Sequence, residues 1–193
     1  MKSGTQSKAE ILSAVLLFAA LALAPVIGGG FGEPGAAVLQ VLVLAAAVVY
    51  VSERRGRTLA RAPGLIPLAI FAAAVIVSTV FTENIYSSLR YILLITSCIA
   101  GYLLAAALCR SLSYAAAAVW AVVISSLYVC LMGVRHYAII TGGGEKFWAS
   151  LMGTGDHLRL FGPFINPGFF AGFLVMVLPV TLGAFLVTRR SVL

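Results

Sequence analysis

The sequence predicts an all-α fold, a polytopic transmembrane helical bundle of six spanning helices with the N and C termini both cytoplasmic. Of the 193 residues, 62% are hydrophobic and 10% are charged, and mean hydropathy is +1.08, which is more apolar than a water-facing surface tolerates. The apolar residues also gather into long unbroken blocks instead of the short periodic segments of a water-exposed domain. Finally, Lys and Arg fall in alternate connections between those blocks, as they do when short cytoplasmic segments retain positive charge.

The blocks cover residues 11–28, 35–51, 65–81, 89–108, 115–134 and 167–187, each near the ~20 residues that carry a helix across a ~30 Å hydrocarbon core. A spanning barrel would show alternating polarity in segments of about ten residues, and these blocks are continuously apolar. Lys2 and Lys8 precede the first block and place the amino terminus inside. Ala22-Leu23-Ala24 resembles a signal-peptide cleavage site, but the apolar run is longer than a usual signal core and Pro25 follows the triplet directly, which favours a retained helix. Gly28, Gly29, Gly30 and Pro34 form a short outer turn with Glu33.

Arg54, Arg55, Arg57 and Arg61 fill the second connection and hold it in the cytoplasm, whereas the third carries Glu83 and no basic residue and belongs outside. Arg110 returns the fourth connection to the inside, and Arg189 and Arg190 do the same after the sixth helix. The fifth connection, residues 135–166, is the one long loop; it faces outside and holds both histidines, His136 and His157. The continuous apolar blocks make residues 1–193 one transmembrane domain; there is no internal repeat of fixed period, although three helices followed by three leave room for a structural repeat that sequence does not show.

The formal charge of +7 does not point to nucleic acid, because the basic residues form no continuous face; membrane orientation accounts for them. Cys98, Cys109 and Cys130 lack the paired spacing of a zinc site and are expected as reduced packing residues, so no metal is expected. No proposed helix carries Asp, Glu, Lys or Arg at its middle, which argues against a proton-coupled transporter, where such burial has a functional return.

The segment that points to chemistry runs from Arg159 through Gly162, Phe164, Asn166 and Pro167 to Leu178 and Pro179. Asn166 is a good N-cap and Pro167 suits the first helical position, where its missing N–H costs nothing. The positive dipole end and free N–H groups of the sixth helix would then face outward, with Arg159 just upstream, and anionic oxygens fit between them. A guanidinium also offers a planar fork that matches phosphate. The alternative is that Arg159 lies in the lipid headgroups and Asn-Pro is an ordinary helix start. Gly168 and Gly172 form a Gly-x-x-x-Gly pair, the usual mark of close helix packing, and Pro179 is expected to bend the helix.

Arg, Gly, an aromatic and Asn-Pro leading into an apolar helix with a later Leu-Pro resembles the signature of the O-antigen ligase and O-antigen polymerase superfamily; the short-loop helices before it are similar to the amino-terminal half of such a protein. The family usually has a second Asn after Asn-Pro, where this chain has Gly168. The resemblance implies a glycosyltransferase of the bacterial inner membrane, multi-pass, that takes a glycan from an undecaprenyl diphosphate carrier at the periplasmic face and needs no cofactor. A ligase passes the glycan to a lipid A core or other glycan acceptor, and a polymerase passes it to another carrier-linked repeat. It also implies that this chain is the amino-terminal portion of a longer polytopic protein, because family members have about twice as many helices. Arg159 and Asn166, with Arg135 and Arg90, are the candidate diphosphate-binding residues, and His157, next to Asp156, is the candidate proton acceptor.

For Arg90, beside Tyr86 and Tyr91, and for Arg135 and His136, interfacial anchoring is the competing role. Gly142, Gly143 and Gly144 before Glu145-Lys146 lack the spacing of a phosphate loop. Phe147, Trp148, Leu151 and Met152 suit a short amphipathic turn on the membrane surface. Three classes of function stay open at this point: the carrier-linked glycan transferase, a transporter component and a non-enzymatic membrane scaffold.

Overall fold

The structure is a computed structural model that describes residues 7–27, 33–54, 62–140, 163–164 and 166–192. Six α-helices follow one another along the chain: α1 (Lys8–Val26), α2 (Glu33–Arg54), α3 (Leu65–Val80), α4 (Ile85–Leu108), α5 (Leu112–Ile140) and α6 (Pro167–Val192). There is no strand among the described residues.

Five of these helices are long and apolar enough to cross a membrane. The exception is α3, whose 16 residues rise about 24 Å, less than the ~30 Å of a hydrocarbon core. Large apolar side chains are exposed along the helices, with Val41 and Val48 on α2, Ile66 and Ile70 on α3, Leu127 and Leu131 on α5, and Val175 and Leu178 on α6 all open. Water would not leave such faces uncovered. Lipid is their solvent, with every backbone polar group of a span bonded inside its helix, and the chain is a multi-pass membrane protein.

Helix ends depart from the apolar blocks, because hydrogen bonding and not hydropathy sets them. Ser7 caps α1, its Oγ accepting from Glu10 N–H at 3.1 Å, and its hydroxyl also donates to Glu53 Oε2 near the end of α2. Ala22, Leu23 and Ala24 lie within α1, which continues through Pro25. At α4 the start moves from residue 89 to Ile85, since Asn84 Oδ1 accepts from Ser87 N–H at 3.2 Å. The largest shift is in α5, which runs to Ile140. The long connection therefore does not begin at Arg135; Arg135 and His136 are helical. Arg189 and Arg190 lie in the last turn of α6 rather than beyond it. Lys2, Arg55, Arg57 and Arg61 lie outside the described residues.

The helices group into two compact units, Met1–Ala20 with Ala36–Ala117, and Leu21–Gly35 with Ala118–Leu193. The first has a continuous buried cluster made by Ala14 and Leu17 of α1, Ala46 and Tyr50 of α2, Leu104 and Leu108 of α4, and Tyr114. Within each helix these residues are three or four apart and share one face. Ser13, fully buried, donates to the Ala46 carbonyl at 2.7 Å, so α1 and α2 meet closely enough for a side chain to reach a neighbouring backbone. Gly101 of α4 faces Val43 of α2, where an added Cβ would lie 3.4 Å from Val43 Cγ1. Small residues at such contacts let helix backbones approach, and packing is what drives association in lipid.

Short α3 is attached at its start. Gly64, at φ 73°, is its left-handed N-cap, a conformation that glycine adopts without a Cβ penalty. Next to it, the Tyr102 hydroxyl of α4 donates to the Pro63 carbonyl. All three cysteines are free thiols; Cys98 and Cys130 lie on exposed helix faces and do not pack within the chain as expected, and Cys109, at the end of α4, is half-buried.

Candidate functional site

Asn166 and Pro167 start α6 as their types dictate. Asn166 Oδ1 accepts from Gly168 N–H at 2.8 Å, the N-cap bond to the second helical residue, and Pro167 has no N–H to satisfy. The Asn166 carbonyl then accepts from both Phe169 N–H at 3.1 Å and Phe170 N–H at 3.2 Å. The free N–H groups expected at this end are therefore engaged. What α6 offers an anion is its dipole and the exposed Asn166 side-chain NH2, a donor with no hydrogen bond among the described residues.

Phe164 fixes the direction in which the chain enters α6. It is buried, and its ring lies 5.6 Å from that of Phe173 and 6.2 Å from that of Phe170, tilted contacts that favour aromatic pairs. This is a hydrophobic staple in outline, a residue before the cap packing on residues one turn into the helix. Phe170 also meets α5, where a Cβ added to Gly133 would lie 3.0 Å from Phe170 Cζ. A Cβ there would require the Phe170 ring to give by a few tenths of an ångström, and a larger side chain would displace it. Sequence reasoning missed Gly133, since a lone glycine in an apolar helix carries no signal of its partner.

The Gly-x-x-x-Gly pair does not pack as expected within the chain. An added Cβ at Gly172 meets nothing within 4 Å, and at Gly168 it meets only Asn166 Oδ1, at 3.2 Å. Gly168 thus serves the cap, and the close helix contact is made at Gly133.

On α5 the buried stripe runs through Ser126, Val129, Gly133 and Tyr137, the three- and four-residue spacing of one helix face. His136, partly buried, borders this stripe, whereas Arg135 is exposed and lies about 200° around the helix from Gly133. Arg135 thus projects away from the α6 contact, a position suited to lipid headgroups. Arg90 is exposed in the second turn of α4. Arg159 and His157 lie outside the described residues, as do Gly142, Gly143, Gly144, Phe147, Trp148, Leu151 and Met152. Among the described residues, no three His, Cys, Asp or Glu side chains come together in a way that could hold a metal ion.

A capped, aromatic-stapled helix start with one spare amide donor can orient an anionic group but cannot by itself neutralise one. In sequence, Arg159 lies seven residues upstream of Asn166, outside the described residues. Compared with family models, with curated proteins and with solved structures, the chain has no match in any of the three.

Proposed function

We propose that the chain is a membrane glycosyltransferase of the O-antigen ligase type, embedded in the bacterial inner membrane with both termini in the cytoplasm. Its donor is an undecaprenyl diphosphate-linked glycan and its acceptor a lipid A core or other glycan. A polymerase differs only in taking a second carrier-linked repeat as acceptor, so the donor site is common to both. The observation that carries the reading is the Asn166–Pro167 start of α6 with Arg159 just before it.

In this chemistry an acceptor hydroxyl oxygen attacks the anomeric carbon, the bond from that carbon to the phosphate oxygen breaks, and the diphosphate leaves with the electron pair. The hydroxyl proton passes to a base, for which His157 is the candidate. Negative charge builds on the leaving diphosphate, so a guanidinium and a helix N-terminus aimed there stabilise the transition state more than the ground state. Arg159 supplies the charge, and the Asn166 NH2 supplies a directed hydrogen bond. In cells that depend on this gene, Arg159→Ala is expected to abolish transfer with the protein still inserted at normal abundance. Glycan ladders on gels, read beside membrane abundance, test this; normal ladders at normal abundance would remove Arg159 from the mechanism.

A further inference from the structure

Between α3 and α4 lies an open surface cleft of about 380 Å³, along which Ala74, Ser78 and Tyr91 are exposed. Its apolar side is Ala74 and Val75 of α3. The rest of its lining carries hydroxyls: Ser78 and Thr79 near the end of α3, Thr82 in the turn, and Ser88 and Tyr91 in the first two turns of α4. No charged side chain lines it.

Much of this hydroxyl capacity is not used within the chain. Ser88 donates to Thr82 Oγ1 at 3.0 Å, which leaves the Thr82 proton to donate elsewhere and the Ser88 oxygen to accept. Thr79 donates to the Ile76 carbonyl at 2.5 Å, as helix hydroxyls commonly do, and keeps its acceptor lone pairs. The hydroxyls of Ser78 and Tyr91 make no side-chain hydrogen bond among the described residues. The cleft therefore presents donors and acceptors in nearly equal measure around a phenol ring. An anion would need donors in excess of acceptors or a cation, and a metal ion would need carboxylates or carbonyls. A polyol needs the mixture found here, since each of its hydroxyls both donates and accepts, and its C–H faces suit the Tyr91 ring and the Ala74–Val75 wall.

We propose that the α3–α4 cleft is a binding site for an uncharged sugar ring, presented by a glycolipid headgroup or by a free glycan. The short α3 contributes to it: its last turns bring Ser78 and Thr79 beside Thr82 in the turn. None of the lining residues belongs to α6 or to the segment preceding it, so the inference goes beyond the diphosphate site and does not depend on it.

The test uses the 193-residue chain in lipid nanodiscs containing monoglucosyl-diacylglycerol, diacylglycerol or phosphatidylglycerol, with retained lipid read by native mass spectrometry, and with maltotriose added as the free glycan. Retention of the glucosyl lipid is expected to exceed that of diacylglycerol about tenfold and to fall to the diacylglycerol level in Thr82→Val/Ser88→Ala, which removes roughly two hydrogen bonds. Ala74→Leu fills the cleft without touching a hydroxyl and is expected to give the same loss, which guards against a double variant that folds poorly. Equal binding of maltotriose and glucosyl lipid supports the site with a free glycan as its source; preference for the glucosyl lipid supports it with a membrane source. The proposal is overturned if diacylglycerol or phosphatidylglycerol is retained as well as the glucosyl lipid, or if Ala74→Leu binds normally.

Discussion

The buried cluster shared by α1, α2 and α4 and the aromatic corner at the start of α6 hold helices together by different means. In the cluster, small residues and one hydroxyl bring backbones close: Ser13 bonds the Ala46 carbonyl, Gly101 faces Val43, and Ala14 and Leu17 are buried beside them. At the corner, one large side chain does most of the positioning, because Phe164 rests on Phe170 and Phe173 while Phe170 presses on Gly133. The first arrangement spreads its stabilisation over many contacts. The second concentrates it in a single buried ring at the entry to α6.

The sharpest way to break this contrast is Phe164→Ala. Truncating a buried aromatic costs about 3 kcal/mol or more in a packed site, and here it also frees the segment leading to Asn166. Thermal unfolding in detergent should show the loss, with α-helix content unchanged. Next is Gly133→Leu, which forces Phe170 aside and should cost about 1–3 kcal/mol by overpacking; Gly133→Ala asks Phe170 to move by only tenths of an ångström and should cost far less. A smaller effect is expected from Ser13→Ala, about 0.6 kcal/mol, the average for interhelical hydrogen bonds within membranes. Were Ser13→Ala to exceed Phe164→Ala, the contrast would be inverted.

The smallest effect concerns Cys109, just outside α4. Burial raises its thiol pKa above the ordinary value, so at a given pH less of it is thiolate, and only the thiolate reacts with maleimide. Native protein should therefore label more slowly than unfolded protein near pH 8, with the gap closing as pH rises through the elevated pKa. With Cys98 and Cys130 replaced by Ser, the rate reports Cys109 alone. Equal rates in the two states would show that the site is solvated.

The centres of the helices were legible in the sequence because an apolar run of about twenty residues has one stable solution in lipid. Helix ends were less so. Hydropathy measures the hydrocarbon thickness, whereas α5 continues its hydrogen bonds past Arg135 to Ile140, and the Asn84 cap starts α4 at Ile85, four residues before the apolar run at residue 89. Asn-Pro located the start of α6 because both residues act locally. The Gly168–Gly172 pair misled for the opposite reason: a small-residue spacing says that a close approach is possible, not which helix makes it. The hydroxyl cleft was invisible for the same cause, since its lining comes from two helices and a turn.

Undecaprenyl diphosphate binding tests the α6 start most directly. With the protein in nanodiscs, native mass spectrometry should show the diphosphate carrier retained at least about tenfold over undecaprenol, and Arg159→Ala should erase that preference. Asn166→Asp is the sharper variant, because aspartate caps a helix as well as asparagine but replaces the spare NH2 donor with a negative charge. It should keep wild-type thermal stability and still lose the diphosphate. A carrier held equally by wild type, Arg159→Ala and Asn166→Asp would contradict the account.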